Sequence, residues 1–387
     1  VRDRAVLRPD NRHPMIATFS ARPHRASAER LVFLDWLRIY AFASVLAGHK
    51  FHEPVARAAQ AETAWLRWPA RLLWPFIEGG GVGVVVFFLI SGYIITQVLQ
   101  RESAPEFLLK RAFRIYPLYL VAVGIEFLIL RSHGQGVGWQ TLLQQMLLVG
   151  DFFGTPYALA GVEWTLRLEI LFYLLMAGLR TLGLTRMDRA GPLAITYVLL
   201  IAALHFCGPL ASHTAWTRGY LSLFMPFLLL GSMLWLYEKD AVNRSTMLAF
   251  ILLTLVAYRV GLHAWQPRWL DAYFGVLGIA VFTCCWAVRQ WLPAPAWVLA
   301  LSELTYAVYL LHNWLFDVFL QAFQRLGLRD VYASLATLAL LGAVCWLLVR
   351  CVERPGVRWG RTLASRMSSQ APALTPPEQH GRVAASS

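Results

Sequence analysis

The sequence predicts an all-α polytopic membrane protein of about ten transmembrane helices with both termini cytoplasmic. Three observations lead there. The 387-residue chain is 58% hydrophobic and only 15% charged, with a mean hydropathy of +0.51, whereas soluble globular chains run at roughly 45–50% apolar and 25% charged. Its apolar residues come in repeated runs of about 20, the length a bilayer-crossing helix needs. Its Lys and Arg residues fall mostly on one side of those runs once the two tails are counted with the connecting segments. The same composition excludes disorder, collagen and coiled coils. The net charge of +13 then reads as topology, so no nucleic-acid partner is expected.

The candidate spans lie at about 31–51, 82–99, 115–131, 164–180, 192–207, 220–237, 247–262, 272–288, 297–320 and 332–350. The apolar stretch 141–150 is too short to cross and is expected to be interfacial or re-entrant. With the N terminus inside, the inner segments hold more than twice as many Lys and Arg residues as the outer ones, an excess that rests on the two tails. Residues 1–30 carry seven arginines and no apolar h-region. They read as a basic cytoplasmic tail rather than a secretory signal, with Met15 a candidate true start. Residues 31–352 would be one ten-helix membrane domain. Residues 353–387 would be a largely disordered cytoplasmic tail, rich in Ser, Ala and Pro from Ser365 onward. The five cysteines form no Cys-x-x-Cys pair, so neither a disulfide framework nor a metal site is expected.

Charged residues inside a bilayer cost roughly 2.5–3.5 kcal/mol each on insertion scales, so each needs a reason. Arg38 and His49 stand eleven residues apart in the first span, within about 20° of one another on a helix and about 16 Å apart along its axis. Asp35, one turn before Arg38, shares that face. A structural Asp35–Arg38 pair and an interfacial His49 would explain these residues equally. The second span carries Gly79-Gly-Gly-Val-Gly and then Ser91-Gly-Tyr93, whose glycines permit close backbone approach. Arg111 and Arg114 sit at i,i+3, a spacing that suits phosphate oxygens or simple headgroup anchoring. In the fourth span Glu163 and Arg167 can pair at i,i+4. Glu169 has no local partner, so it must be neutral or meet a base from another helix, with Arg38, Lys50 and His49 the candidates. Tyr306, Tyr309 and His312 or Asn313 make a polar stripe in the ninth span, which serves either a site or helix packing.

Taken in order, these segments resemble the acyltransferase 3 family of integral membrane acyltransferases. The resemblance starts at Leu34-Asp35-x-Leu37-Arg38 with its Arg-x10-His spacing to His49. It continues through Gly83-x3-Phe87-Phe88-x2-Ser91-Gly92-Tyr93, Arg111-x2-Arg114-x2-Pro117 and Trp164-Thr-Leu-x2-Glu169-x2-Phe172-Tyr173. It ends at Thr305-Tyr306-x2-Tyr309-Leu310-x-His312 and Glu353-x-Pro355, so it covers about residues 31–355. Ile39 and Thr165 depart from the family's usual Gly and Ser, and no fused SGNH-hydrolase-like domain is present in this sequence. The resemblance implies transfer of an acyl group, usually acetyl, from cytoplasmic acyl-CoA (acetyl-CoA) to a carbohydrate hydroxyl, on a free or lipid-linked acceptor, in a bacterial inner membrane. It implies that Arg111 and Arg114 hold the CoA phosphates and that Arg38 orients the cofactor or a carboxylate. His49 would be general base or transient acyl carrier, with Glu169 orienting it and Asp35, Ser91, Tyr306 and His312 in support. The competing expectation is a secondary transporter or flippase of a glycan precursor. That reading predicts an inverted repeat, and the sequence shows none.

Overall fold

Inside a bilayer each backbone N–H and C=O must find its partner within the protein, which a helix does locally. The computed structural model describes residues 31–210, 218–265, 267 and 269–370, and these are helical with no strand among the described residues. The helices are α1 (Val32–Lys50), α2 (His52–Ala59), α3 (Ala64–Ile77), α4 (Gly81–Leu99), α5 (Ala104–Ser132), α6 (Trp139–Met146), α7 (Glu163–Thr181) and α8 (Ala190–Phe206). They continue with α9 (Tyr220–Glu238), α10 (Arg244–Trp265), α11 (Ala272–Ala287), α12 (Ala296–Leu311), α13 (Leu315–Arg325), α14 (Asp330–Leu348) and α15 (Arg354–Gln370). Among the described residues six stretches are long and apolar enough to cross a membrane, and α11 and α12 are shorter apolar helices. Helices α1 and α7 fall outside that group, and they are the ones interrupted by Asp35 and Arg38, and by Glu163, Arg167 and Glu169.

The centre is α4 packed on α9, both lined with buried residues along most of their length. Small residues allow it. A side chain at Gly92 would run into the Leu228 carbonyl, so the two backbones touch as in other membrane helix pairs. Helix α1 lies on α4 and also packs against α12. Helices α8, α10 and α14 turn most of their apolar surface outward, as lipid-facing helices do.

All ten expected spans are helical, with three differences. The expected span 297–320 breaks at His312–Trp314 into α12 and α13. The Lys50 ammonium takes the Asn313 carbonyl at 2.6 Å and Asp317 at 2.8 Å, so α1 captures a carbonyl that a continuous helix would use. The loop expected between the first two spans is the helical hairpin α2–α3. Arg71 caps α2 through the Ala59 carbonyl, and Trp65, Trp68 and Leu72 face outward in the manner of an interfacial helix. The chain remains helical to Gln370, where composition suggested disorder from Ser365. Gly356 and Gly360 let α15 lie directly on Pro117 and Phe113 of α5. Residues 1–30 and 371–387, which hold the rest of both expected tails, lie outside the described residues. The short stretch 141–150 falls on α6 and a following turn.

Candidate active site

Helix periodicity sets Asp35, Arg38 and His49 along α1, and the structure gives each a neighbour from another helix or the next turn. Asp35 is fully buried; it accepts from Arg38 at 3.1 Å and from Ser302 of α12 at 2.6 Å. The expected ion pair therefore exists and also ties α1 to α12. At the other end of α1 the His49 ring is exposed and meets the His312 ring edge-on, centroids 5.1 Å apart. His312 is 1% exposed. Its Nδ1 bonds the Tyr309 carbonyl at 2.8 Å, while its Nε2 has no hydrogen-bond partner. A buried, unpaired ring nitrogen costs free energy unless something occupies it.

Tyr309 continues the line. Its hydroxyl meets Thr165 of α7 at 2.6 Å, and its ring meets His312 and Phe87 at 5.9 Å and 5.5 Å. One turn earlier, Tyr306 donates to the Ile115 carbonyl of α5 at 2.9 Å. The expected polar stripe on α12 thus faces α5 and α7.

Glu169 is half-buried and accepts from Ser91 of α4 at 2.9 Å and from Tyr173 one turn on at 2.5 Å. Both donors are hydroxyls, and neither hydrogen bond comes from the basic candidates Arg38, Lys50 and His49. Lys50 is committed to Asp317, and the charged groups facing His49 are Lys50, His52 and Asp317. The cation in the neighbourhood of Glu169 is Arg111. The two α5 arginines diverge: Arg111 lies over the Phe107 ring with its Nε buried and without a hydrogen-bond partner. Arg114 points outward, 3.6 Å from Glu353.

Sequence reasoning missed a second network beside the first. Glu163 and Arg167 pair as expected, but Arg167 also meets Asp151 at 2.6 Å and lies over the Tyr157 ring. Tyr119 donates to Glu163 at 2.8 Å and Tyr220 donates to Asp151. Nearby, Glu126 accepts from the backbone of Leu159 and Ala160 at 2.6 and 3.3 Å. It holds two non-glycine residues at positive φ, a conformation such residues rarely adopt. The Ala160 carbonyl then receives the Asn313 amide at 2.9 Å. Asp151 sits at a turn and Glu126 acts on a segment more than 30 residues away, where periodicity carries no signal. Among the described residues no group of three His, Cys, Asp or Glu side chains is placed to hold a metal ion.

Comparison with known proteins gives this arrangement a context. The chain is similar to exopolysaccharide production protein ExoZ of Rhizobium meliloti, at 26% identity over 73% of this chain and 91% of that protein. It is similar to nodulation protein 10 of Rhizobium leguminosarum bv. viciae, at 28% identity over 44% of this chain and 51% of the relative. With acyltransferase MdmB of Streptomyces mycarofaciens it shares 31% identity over 38% of each chain. The chain therefore spans about half or less of the last two relatives. No solved structure matches it. The acyltransferase domain matches residues 31–350, from the start of α1 to the end of α14, and by that match the chain belongs to the acyltransferase 3 family of membrane acyltransferases.

Proposed function

We propose that the protein is an O-acyltransferase of a bacterial inner membrane that moves an acyl group, in the first instance acetyl, from acyl-CoA to a carbohydrate hydroxyl. One observation supports this above the others. A thread of polar side chains runs through an apolar bundle, from Arg111 and Arg114 past Glu169, Ser91 and Tyr173 to Tyr309, His312 and His49. Family membership favours acyl transfer over the transporter reading, and the relative named for exopolysaccharide production favours a saccharide acceptor.

The residues at the Arg111 end suit a CoA donor. Arg111 keeps an unpartnered Nε and Arg114 a side chain 45% exposed, so both retain donors for phosphate oxygens. Arg38 remains half-buried beside Asp35 and would orient the donor. When bound, the thioester supplies the activated acyl group. At the far end His49 would take the proton of the acceptor hydroxyl, its ring position fixed by His312 and the Asn313 turn. Glu169, fixed by Ser91 and Tyr173, would act on Arg111 and not on His49.

The test is label transfer from radioactive acetyl-CoA in membranes containing the chain. Label is expected in a saccharide fraction, absent with His49→Ala and reduced with Arg114→Ala. Full transfer by His49→Ala would remove the assignment of the base. An absence of transfer across a broad panel of acyl-CoA donors and acceptors would overturn the reaction.

A further inference from the structure

The end of the bundle at which His49 opens is bordered by side chains that neither the thread nor the packing core requires. A substituent at Gly48 would strike the 77–80 turn, so that turn lies directly beside His49. Gly79 and Gly80 hold left-handed φ there, and the Trp269 ring lies within 3.4 Å of where a Gly79 side chain would begin. Trp269 meets Trp164 of α7 at 6.4 Å. The next residue, Thr165, bonds Tyr309, and Tyr309 leads through His312 back to His49. These contacts form a circuit that leaves α1 at Gly48 and returns to it at His49. Glu78, at the same turn, accepts from the Tyr273 hydroxyl.

We infer that this rim is the acceptor subsite, with Trp269 as the platform for a pyranose ring and Glu78, steadied by Tyr273, as acceptor for its hydroxyls. The inference rests on the acyl-transfer reading above. A half-buried tryptophan offers a flat apolar face to the C–H side of a sugar, and a carboxylate beside it accepts from the ring's hydroxyl edge. Small-ligand sites combine aromatic surface with a few placed polar groups in this way. His312, whose ring meets that of His49, keeps an unpartnered buried Nε2. A tryptophan serving only to anchor the protein at the membrane surface would not need to close a circuit with the two histidines.

The test uses the full chain in nanodiscs, with methyl β-D-glucopyranoside, β-D-galactopyranoside and α-D-mannopyranoside as probes in saturation-transfer NMR. At least one glycoside is expected to give a signal that falls fivefold or more in Trp269→Ala and is partly kept in Trp269→Phe. Glu78→Gln, isosteric with the native side chain, is expected to keep binding while narrowing the difference between the three sugars. Equal signals from wild type and Trp269→Ala, or a signal from none of the three, overturn the subsite. Label transfer run in parallel separates the two readings. Glycoside binding lost in Trp269→Ala without any transfer by wild type upholds the subsite and overturns acyl transfer. Equal transfer by wild type and Trp269→Ala overturns the subsite and leaves acyl transfer standing.

Discussion

Two clusters of ionisable side chains lie within the bundle, and they are built on different principles. Around Arg167 one cation is shared by two carboxylates, Glu163 and Asp151, and each carboxylate receives a tyrosine hydroxyl. The carboxylates outnumber the cation by one, and the network draws α5, α7, α9 and the turn holding Asp151 together. Around His49 no carboxylate bonds either imidazole: Asp317 is taken by Lys50, and Nε2 of His312 is unpartnered. Arg167 also keeps a buried Nε without a hydrogen-bond partner, but two carboxylates hold its charge. The buried Nε2 of His312 has neither a hydrogen-bond partner nor a carboxylate and is a group that a ligand can satisfy. Burial alone does not separate a structural intramembrane charge from a chemical one. The presence of an ion-pair partner does.

That contrast is open to direct attack. The largest effect is expected for His49→Ala, a drop in transfer of about 10²- to 10⁴-fold, the usual range for loss of a general base, with the protein still monodisperse in detergent. Arg167→Met should behave in the opposite way. It leaves Glu163 and Asp151 buried without a cation, at about 3–5 kcal/mol, so size-exclusion profiles should show loss of folded protein. A stable Arg167→Met protein with transfer selectively abolished would reverse the roles given to the two clusters.

The network along α1 to His49 was more legible in the sequence than the one around Arg167, and the reason is geometric. Asp35, Arg38 and His49 lie on one helix, where spacing fixes the face, and the Glu163–Arg167 pair follows the same rule. Glu169 was recognisable as a carboxylate needing help, but Ser91 is 78 residues away, and no local pattern selects it over a basic residue. The break after α12 was hidden because apolar residues continue on both sides, and the capturing group, Lys50, belongs to α1. Hairpin α2–α3 was hidden by Pro69 and Pro75, which read as loop signals. Trp269 and Asp151 lie between helices, where hydrophobic period says nothing about position.

A middle-sized effect should sharpen the comparison at the other end of the thread. Arg114 is 45% exposed and lies 3.6 Å from the buried Glu353, so Arg114→Ala removes a phosphate donor and also takes from Glu353 its ion-pair partner, a stability cost that the yield of folded protein reports separately. The KM for acetyl-CoA should rise about tenfold, the equivalent of about 1.4 kcal/mol, with kcat largely kept. Ser91→Ala should divide the other way. It removes one of two donors from Glu169 at about 1 kcal/mol, lowering kcat about fivefold at unchanged KM for either substrate.

The smallest effect concerns a residue where this chain departs from its family's usual pattern. Thr165 stands where a serine is usual, and its hydroxyl bonds Tyr309 at 2.6 Å and the Val162 carbonyl at 3.1 Å. Both bonds need only the hydroxyl and not the methyl group, so Thr165→Ser should change transfer by less than about twofold and leave thermal stability almost unaltered. Thr165→Val keeps the shape and removes the hydroxyl, which leaves the Tyr309 hydroxyl short of a partner at about 1–3 kcal/mol. Because Tyr309 also stacks against His312, the valine variant should lose both stability and transfer. If valine is tolerated as well as serine, Tyr309 does not depend on α7, and the circuit that returns to His49 is held by α1 and α12 alone.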